Sequence, residues 1–174
     1  MAKAFSSEVG TGSREENALK QNMTPTIHAS AILLGHQGIL IRGPSGSGKS
    51  RLTLAILQNA GADFARLVGD DRIHLEAAHG RLLMRPAKAL EGLIEVRGTG
   101  IARLPYESVA VASLVIDLDA PDVARLPQET DLEAKIGGVT LTRLAVAPGG
   151  EPLARLRAFL LSKVLSVRQS LTQG

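Results

Sequence analysis

The pattern of hydrophobic and polar positions divides the first half of the chain into short strands and one helix. Apolar runs at residues 27–34, 39–42 and 67–68 are bounded by glycine or polar residues, which is typical of strands. The turn Gly35-His36-Gln37-Gly38 between the first two runs predicts a hairpin with a four-residue connection. Apolar residues at helical spacing predict a helix from about residue 49 to residue 59, ended by Gly61.

The second half of the chain has the same strand-rich pattern. Residues 73–76 and 81–85 flank His79-Gly80, and residues 133–136 and 139–146 flank Gly137-Gly138, so each pair predicts a hairpin. Residues 94–97 and 114–118 are further strands, separated by a glycine-containing turn at 98–100, and residues 121–128 form a proline-bounded connection. An amphipathic C-terminal helix is predicted from Leu153, Leu156, Leu160, Val164 and Val167.

Little helix separates the middle strands, which excludes a repeating strand-helix-strand unit. The predicted fold class is therefore α/β, with a mixed sheet in which antiparallel hairpins surround one strand-loop-helix unit. Residues 25–174 are expected to form a single domain with an aliphatic core, because 44% of the 174 residues are hydrophobic and only 2% are aromatic. Residues 1–24 are polar without a sustained period and are expected to be a disordered tail, with a marginal helix within 13–21.

Charge and composition narrow the function classes. The net charge is +3 and the pI is about 9.6, but the basic residues are scattered among acidic ones, and aromatic stacking platforms are scarce. This favours a nucleotide or an anionic partner over nucleic acid. The absence of cysteine removes disulfides and thiolate chemistry and fits a reducing compartment. With no secretory signal and no apolar run of membrane-spanning length, a cytoplasmic protein without a membrane partner is expected.

The strongest chemical motif lies between the second strand and the first helix. It matches the phosphate-binding pattern of two glycines around four residues, followed by lysine and a hydroxyl: Gly43, Pro44, Ser45, Gly46, Ser47, Gly48, Lys49 and Ser50. Glycines allow successive backbone amides to point into one concavity, and the helix adds unpaired amides at its first turn. Lys49 would reach the β- and γ-phosphates of a nucleotide and Ser50 would ligate Mg²⁺. The structural alternative is a glycine-rich turn with an exposed lysine.

Acidic and basic residues elsewhere are candidates for the rest of such a site. Asp70 and Asp71 follow a buried strand, and a metal ligand or a general base is expected at such a position. Because adjacent residues of a strand point to opposite faces, only one of the two side chains faces the phosphates unless the chain turns there. Which of the two acts as the base stays open. Glu95 within an apolar strand is either on a solvated face or bound to a cation. His28 alone is more often a core or edge residue, and Arg125 is one arginine in a polar loop.

Four segments together resemble the HPr kinase/phosphorylase family: residues 27–29, 43–50, 67–72 and 94–101, within a similarity that extends over residues 27–143. The resemblance implies that His28 belongs to the active site, that Lys49 and Ser50 bind phosphate and metal, and that Glu95 is a second metal ligand. It also implies that Asp70 or Asp71 deprotonates a serine of HPr and that Arg125 serves dephosphorylation. The implied cofactors are ATP and Mg²⁺, and the implied fold is similar to the nucleotide domain of phosphoenolpyruvate carboxykinase.

The resemblance further implies regulation of a bacterial phosphotransferase system by a hexamer that phosphorylates HPr, with a reverse dephosphorylation. The chain resembles the short forms of α-proteobacteria, which lack the N-terminal domain of longer members. Residues 147–152 lack the basic residues that longer members have before the last helix, which makes the reverse reaction the less supported of the two. A P-loop kinase of small molecules and a nucleotide-sensing module that does not catalyse are the alternative functions.

Overall fold

Eleven strands and two helices are present in the part of the chain that the structure, a computed structural model, describes, residues 26–172. In chain order they are β1 (Thr26–His28), β2 (Ser30–Leu34), β3 (Gln37–Arg42), α1 (Lys49–Gln58), β4 (Ala65–Gly69), β5 (Arg72–Ala78), β6 (Arg81–Pro86), β7 (Leu93–Val96), β8 (Gly100–Arg103), β9 (Ala110–Asp117), β10 (Glu133–Ile136), β11 (Val139–Ala145) and α2 (Pro152–Thr172). Two 3₁₀ turns cover Lys88–Leu90 and Glu129–Leu132. The predicted tail at 1–24 and its marginal helix lie outside the described residues, as do the side chains of Val164 and Val167.

The main sheet is mixed, which confirms the predicted fold class. Its strands follow the order β1-β5-β6-β9-β3-β2-β4, with β11 also beside β9 and β10 beside β11. The pairs β3–β9 and β9–β11 are parallel, and the other pairs are antiparallel. Because β9 pairs with β6 along its first residues and with β11 along its last, the sheet branches at β9 and curls. Neither helix, over the residues described, has the length and apolar character needed to span a bilayer.

Three predictions of local structure were wrong. The apolar run at 27–34 is two strands, because the chain leaves β5 after β1 and joins β3 as β2. The turn before β3 has two residues, Gly35 and His36, because Gln37 and Gly38 already pair with β2. The turn at 98–100 does not lead directly to β9 but reverses the chain into β8, which pairs with β7 as a separate hairpin. The helix predicted at about residues 49–59 is confirmed as α1, although its C-cap is Asn59, whose amide donates to the backbone oxygens of Ala55 and Ile56, and not Gly61.

The core lies on both faces of the central strands. Along β3, Ile39 and Ile41 face the helices, while Leu40 faces the opposite layer, since successive strand residues point to opposite faces. All buried hydrophobic residues in the described range are Ala, Val, Ile, Leu or Met, as the composition predicted. The strand that leads into the glycine-rich loop is therefore fixed on both sides, so it holds the loop in place.

At Gly38 in β3 the backbones of two strands approach each other closely. A Cβ atom there would lie 2.1 Å from the backbone oxygen of Val111 in β9 and 2.8 Å from its carbonyl carbon. Backbone atoms cannot move aside as a flexible side chain can, so any larger residue would force the two strands apart.

We expect Gly38→Ala to lower the free energy of unfolding by about 3 kcal/mol, the upper end of the range for overpacked sites. The control is Gly35→Asn in the preceding turn: its φ is +56°, which asparagine adopts readily, and no atom lies within 4 Å of an added Cβ. Denaturant unfolding of the two variants measures the difference. Equal stabilities would contradict the close approach of β3 and β9.

Candidate functional site

The glycine-rich loop at residues 43–48 connects β3 to α1 in a conformation that depends on its glycines. Gly43, Gly46 and Gly48 have φ values of +151°, +84° and +91°, which other residues rarely adopt. A Cβ on Gly43 would lie 2.7 Å from Ser47 Oγ and 3.0 Å from the backbone oxygen of Leu118, so the loop packs closely against the turn after β9. Gly48 is the N-cap of α1 and supplies no capping side chain, which leaves the first amides of the helix available to an anion.

Lys49 is folded back onto this loop. Its side chain is buried, and Nζ donates hydrogen bonds to the backbone oxygens of Gly43 at 3.0 Å and Pro44 at 2.9 Å. Burial lowers the pKa of the Lys49 ammonium, and the nearby charges of Asp70 and Asp71 oppose that shift. Since an ammonium has three donors, one N–H remains for a ligand, and an anion placed there would stabilise the charged form.

Asp70 joins three elements around the loop. It is only 5% exposed; its Oδ1 accepts a hydrogen bond from the Ser30 hydroxyl in β2, and its Oδ2 accepts one from the Ser50 hydroxyl in α1 at 2.8 Å. The backbone amide of Glu95 in β7 also approaches Oδ2, at 3.4 Å. The carboxylate therefore fixes the first turn of α1 against the sheet.

Asp71 occupies a strained turn between β4 and β5. Its φ is +69°, and the Arg72 amide donates to the Asp70 backbone oxygen at 2.9 Å, which makes Asp71 the central residue of a γ-turn. Its side chain is 61% exposed, with Oδ1 3.4 Å from His28 Nε2 and Oδ2 3.9 Å from Arg72 Nε. Because the chain turns here, Asp70 and Asp71 line the same cleft instead of pointing to opposite faces.

That cleft has a volume of about 760 Å³ and brings most of the predicted site residues together. Its walls are His28, the loop and start of α1 at residues 45–51, Asp70 and Asp71, and the β7–β8 hairpin with Glu95. Apolar residues of the β7–β8 hairpin and of the segment before it form the rest of the rim: Leu90, Leu93, Ile94, Val96 and Ile101. Glu95 lies at the cleft with an exposed side chain, so its carboxylate faces the space beside the loop, and its role as a metal ligand stays a prediction.

Gly43 and Pro44, at the start of the loop, do not line this cleft, and Arg125 is the predicted site residue outside both the loop and the cleft. It is exposed at a bend between β9 and β10 and does not line the cleft, and the described residues give it no hydrogen bond or ion pair. Its role stays a prediction.

The donor atoms at the cleft are those that Mg²⁺ prefers. No group of three histidine or acidic residues is arranged as a metal cage in residues 26–172, but Mg²⁺ typically uses one or two carboxylates and completes its shell with phosphates and water. The hydroxyl of Ser50 and the carboxylate of Asp70, already in contact, are the pair of residue types that hold this metal beside phosphate-binding loops. The residues therefore fit Mg²⁺.

An ion cluster beside the loop was not predicted from the sequence. Asp117 at the end of β9 accepts two hydrogen bonds from Arg42, the last residue of β3, at 2.7 and 2.8 Å, and one from Arg143 of β11 at 2.7 Å. Arg143 also donates two hydrogen bonds to Asp122, at 2.8 and 2.9 Å.

These contacts set the pKa of Asp117 and the position of the strand ends. Burial by itself would raise the pKa of Asp117, but the hydrogen bonds from Arg42 and Arg143 outweigh it and hold that pKa below its ordinary value. The three parallel strands are thus tied together one residue before the loop begins. The signal in the sequence was an aspartate within the apolar run of residues 114–118.

Comparisons with known proteins agree on one family. The family model described as "HPr Serine kinase C-terminal domain" matches residues 20–120, more than half of the chain. The HPr kinase/phosphorylase of Geobacillus thermodenitrificans is 33% identical over an alignment of length 150, which covers 77% of this chain and 46% of that protein. That of Clostridium tetani is 33% identical over 104 residues, 59% of this chain and 32% of the relative. The chain thus spans less than half the length of these curated relatives.

A solved structure shows the same fold. "Structure of the Hpr(Ser) kinase/phosphatase from Coxiella burnetii" superposes with a TM-score of 0.66 and 20% identity, covering 85% of this chain and 95% of that one. The mixed, curled sheet is shared by the two.

We expect Asp117→Asn to lower the free energy of unfolding at neutral pH by roughly 2–4 kcal/mol, because it leaves the guanidinium groups of Arg42 and Arg143 without their shared counter-charge. Asp122→Asn is the matched control: its carboxylate is exposed, so its loss is expected to cost clearly less. Thermal or denaturant unfolding measures both. The assignment fails if Asp122→Asn is the more damaging change.

The same cluster predicts a pH dependence. The pKa of Asp117 is lower in the folded protein than its ordinary value of 3.8, so its contribution to stability is present above that value and is lost as pH falls through the folded pKa. The stability difference between the wild type and Asp117→Asn should therefore be constant near neutral pH and shrink below pH 3.8. A difference that grows on acidification would have the wrong sign.

Proposed function

The chain belongs to the family of the HPr Serine kinase C-terminal domain, and from that premise we propose that it transfers the γ-phosphoryl group of ATP to a serine hydroxyl of the phosphocarrier protein HPr. One observation carries the proposal. The glycine-rich loop, the Ser50–Asp70 pair and the solvent-facing Asp71 lie on a single cleft, although their residues are up to 28 positions apart in the sequence. The proposed catalytic unit is one domain, residues 25–174, with a P-loop architecture akin to the phosphoenolpyruvate carboxykinase nucleotide domain.

The loop provides the phosphate site. The free amides at the start of α1, the remaining N–H of Lys49 and the positive end of the helix all favour the negative charge of the triphosphate. These groups are held in place before the nucleotide arrives, since Lys49 is already bonded to Gly43 and Pro44. Charge that develops on the γ-phosphoryl oxygens would therefore meet donors that need little reorganisation.

The hydroxyl of Ser50 and the carboxylate of Asp70 would hold Mg²⁺, with Glu95 as the further ligand predicted from the resemblance. When bound, the metal would neutralise part of the negative charge of the phosphates. Asp70 suits this role better than that of a base because both of its oxygens are engaged and its side chain is buried.

Asp71 is the proposed base. Its carboxylate is exposed to an incoming protein and lies beside His28, which would orient it. Asp71 accepts the proton of the serine hydroxyl as the serine oxygen bonds to the γ-phosphorus and the bond to the β-phosphate oxygen breaks, releasing ADP. In the reverse direction the same carboxyl group returns the proton to the leaving serine oxygen.

The exposure of the cleft suits a protein substrate. Asp71 is 61% exposed and Ile101 on the facing hairpin is 75% exposed, so a hydroxyl on the surface of a folded partner can reach the base. Dephosphorylation assisted by Arg125, a hexameric assembly, a role in regulating a phosphotransferase system and a cytoplasmic location are parts of the proposal that depend on the family.

We expect Asp71→Asn to lower kcat for HPr phosphorylation by about 10²- to 10⁴-fold, because the amide cannot accept the serine proton. Its affinity for ATP should stay within about twofold of wild type, since the side chain of Asp71 pairs with His28 and Arg72 and forms no hydrogen bond with residues 43–50. Asp70→Asn is expected to weaken Mg²⁺-dependent ATP binding instead. The measurements are transfer of radiolabelled phosphate from ATP to purified HPr and calorimetric titration with ATP.

Asp63→Asn, at an exposed position outside the cleft, is the control and should leave both quantities unchanged. Wild-type transfer rates in Asp71→Asn would refute the assignment of the base. ATP binding without labelling of HPr would point to the sensing module, and labelling of an added small molecule in place of HPr would point to a kinase of small molecules.

A further inference from the structure

The junction between β1 and β2 lies against the turn that carries Asp70 and Asp71. His28 Nε2 is 3.4 Å from Asp71 Oδ1, and the amide of Ala29 donates to the backbone oxygen of Asp71 at 3.3 Å. The next residue, Ser30, donates a hydrogen bond from its hydroxyl to Asp70 Oδ1. Three consecutive residues therefore contact the two aspartates, and the last of them, Ser30, had no predicted role.

The hydroxyl of Ser30 is enclosed by the sheet. Ser30 has an exposed fraction of 0%, as have Ala31 beside it in β2 and Ile41 opposite it in β3. A hydroxyl is costly to bury without a hydrogen bond, and the carboxylate of Asp70 accepts this one. Because Ser30 does not line the cleft, it can influence a bound ligand only through Asp70.

Asp70 divides its two carboxylate oxygens between the sheet and the loop. Oδ1 accepts from Ser30, whereas Oδ2 accepts from the Ser50 hydroxyl at 2.8 Å and is approached by the Glu95 amide at 3.4 Å. The torsion about the Cβ–Cγ bond of an aspartate is broad, so the rotamer alone does not fix the carboxylate plane. Within the described residues no group other than Ser30 donates to Oδ1, so this bond keeps Oδ2 beside Ser50.

We propose that Ser30 is a positioning residue for the Mg²⁺ site. Its hydroxyl orients the carboxylate of Asp70, so that Oδ2 and the hydroxyl of Ser50 are already adjacent when the metal arrives. Partners of this kind, one step behind a metal ligand, typically change metal affinity by 10- to 100-fold. The inference rests on the proposed function, since it assumes that Ser50 and Asp70 hold Mg²⁺.

The position of Ser30 confines its effect to the metal. The phosphates would be bound by the amides at the start of α1 and by Lys49, whose hydrogen bonds go to Gly43 and Pro44 and not to Ser30. Loss of the Ser30 hydroxyl should therefore weaken the part of ATP binding that depends on Mg²⁺ and spare the part that does not. A serine that only stabilised the sheet would not separate the two.

The test is calorimetric titration of the full chain with ATP, once with Mg²⁺ and once with a chelator in its place. The ratio of the two affinities measures the contribution of the metal. Ser30→Ala should lower this ratio by about tenfold and leave the affinity for metal-free ATP within about twofold of wild type. Ser30→Cys, which keeps a side chain of similar size but only a weak donor, should lower the ratio by a similar factor.

Ser113→Ala is the matched control. The hydroxyl of Ser113 in β9 donates to the backbone oxygen of Gly38 at 3.3 Å within the same sheet, and Ser113 does not line the cleft. This variant should keep the wild-type ratio. Denaturant unfolding of all three variants measures their stability separately, and both Ser30 variants are expected to unfold more readily because Asp70 Oδ1 loses its donor.

The outcomes distinguish this inference from the proposed function. If Mg²⁺ does not raise the affinity of wild type for ATP, the proposed metal site fails and the inference fails with it. If wild type depends on Mg²⁺ and either Ser30 variant retains the full ratio, Ser30 does not position Asp70, while the proposed function stands. A comparable loss in Ser113→Ala would also overturn the inference, because it would assign the effect to a general loosening of the sheet.

Discussion

The hydrogen bonds that converge on Asp70 are the constraint on which the site depends. A carboxylate this buried is stable only when its oxygens are satisfied, and here the hydroxyls of Ser30 and Ser50 do so from two different elements. The same contacts that meet the cost of burial therefore fix α1 against the sheet and set the position of the loop. Loss of either hydroxyl would leave an unpaired acceptor in the interior, so the architecture and the chemistry cannot be altered separately at this point.

The ion cluster around Asp117 fixes the end of the strand from which the loop begins. Arg42 is the last residue of β3, and its bond to Asp117 holds β3 and β9 in register where the sheet would otherwise begin to fray. Arg143 extends the same tie to β11, which pairs with β9 in parallel. The loop thus begins at a fixed edge of the sheet, the carboxyl ends of three parallel strands, which is where ligands commonly bind in sheets of this kind.

Local patterns were enough to predict much of this molecule. The spacing of residues 43–50 located the loop, and the alternation around His79-Gly80 and Gly137-Gly138 gave two hairpins that the structure confirms. Long-range relations were not predictable in the same way. The split between β1 and β2 depends on pairing with β5, more than 40 residues away, and the Arg42–Asp117 bond spans 75 positions. That both Asp70 and Asp71 line one cleft follows from the γ-turn, which no periodicity signals.

The left-handed backbone of Asp71 sets the stability of the fold against the proposed role of its carboxylate. An L-residue with a side chain is held there at a cost of roughly 1 kcal/mol or more, whereas glycine would accept the same geometry almost freely. A library selected only for thermal tolerance would therefore be enriched in variants that lack this carboxylate. With Asp71 as the proposed base, the aspartate makes the folded chain less stable than a glycine would, and efforts to engineer a more stable version should hold this position fixed.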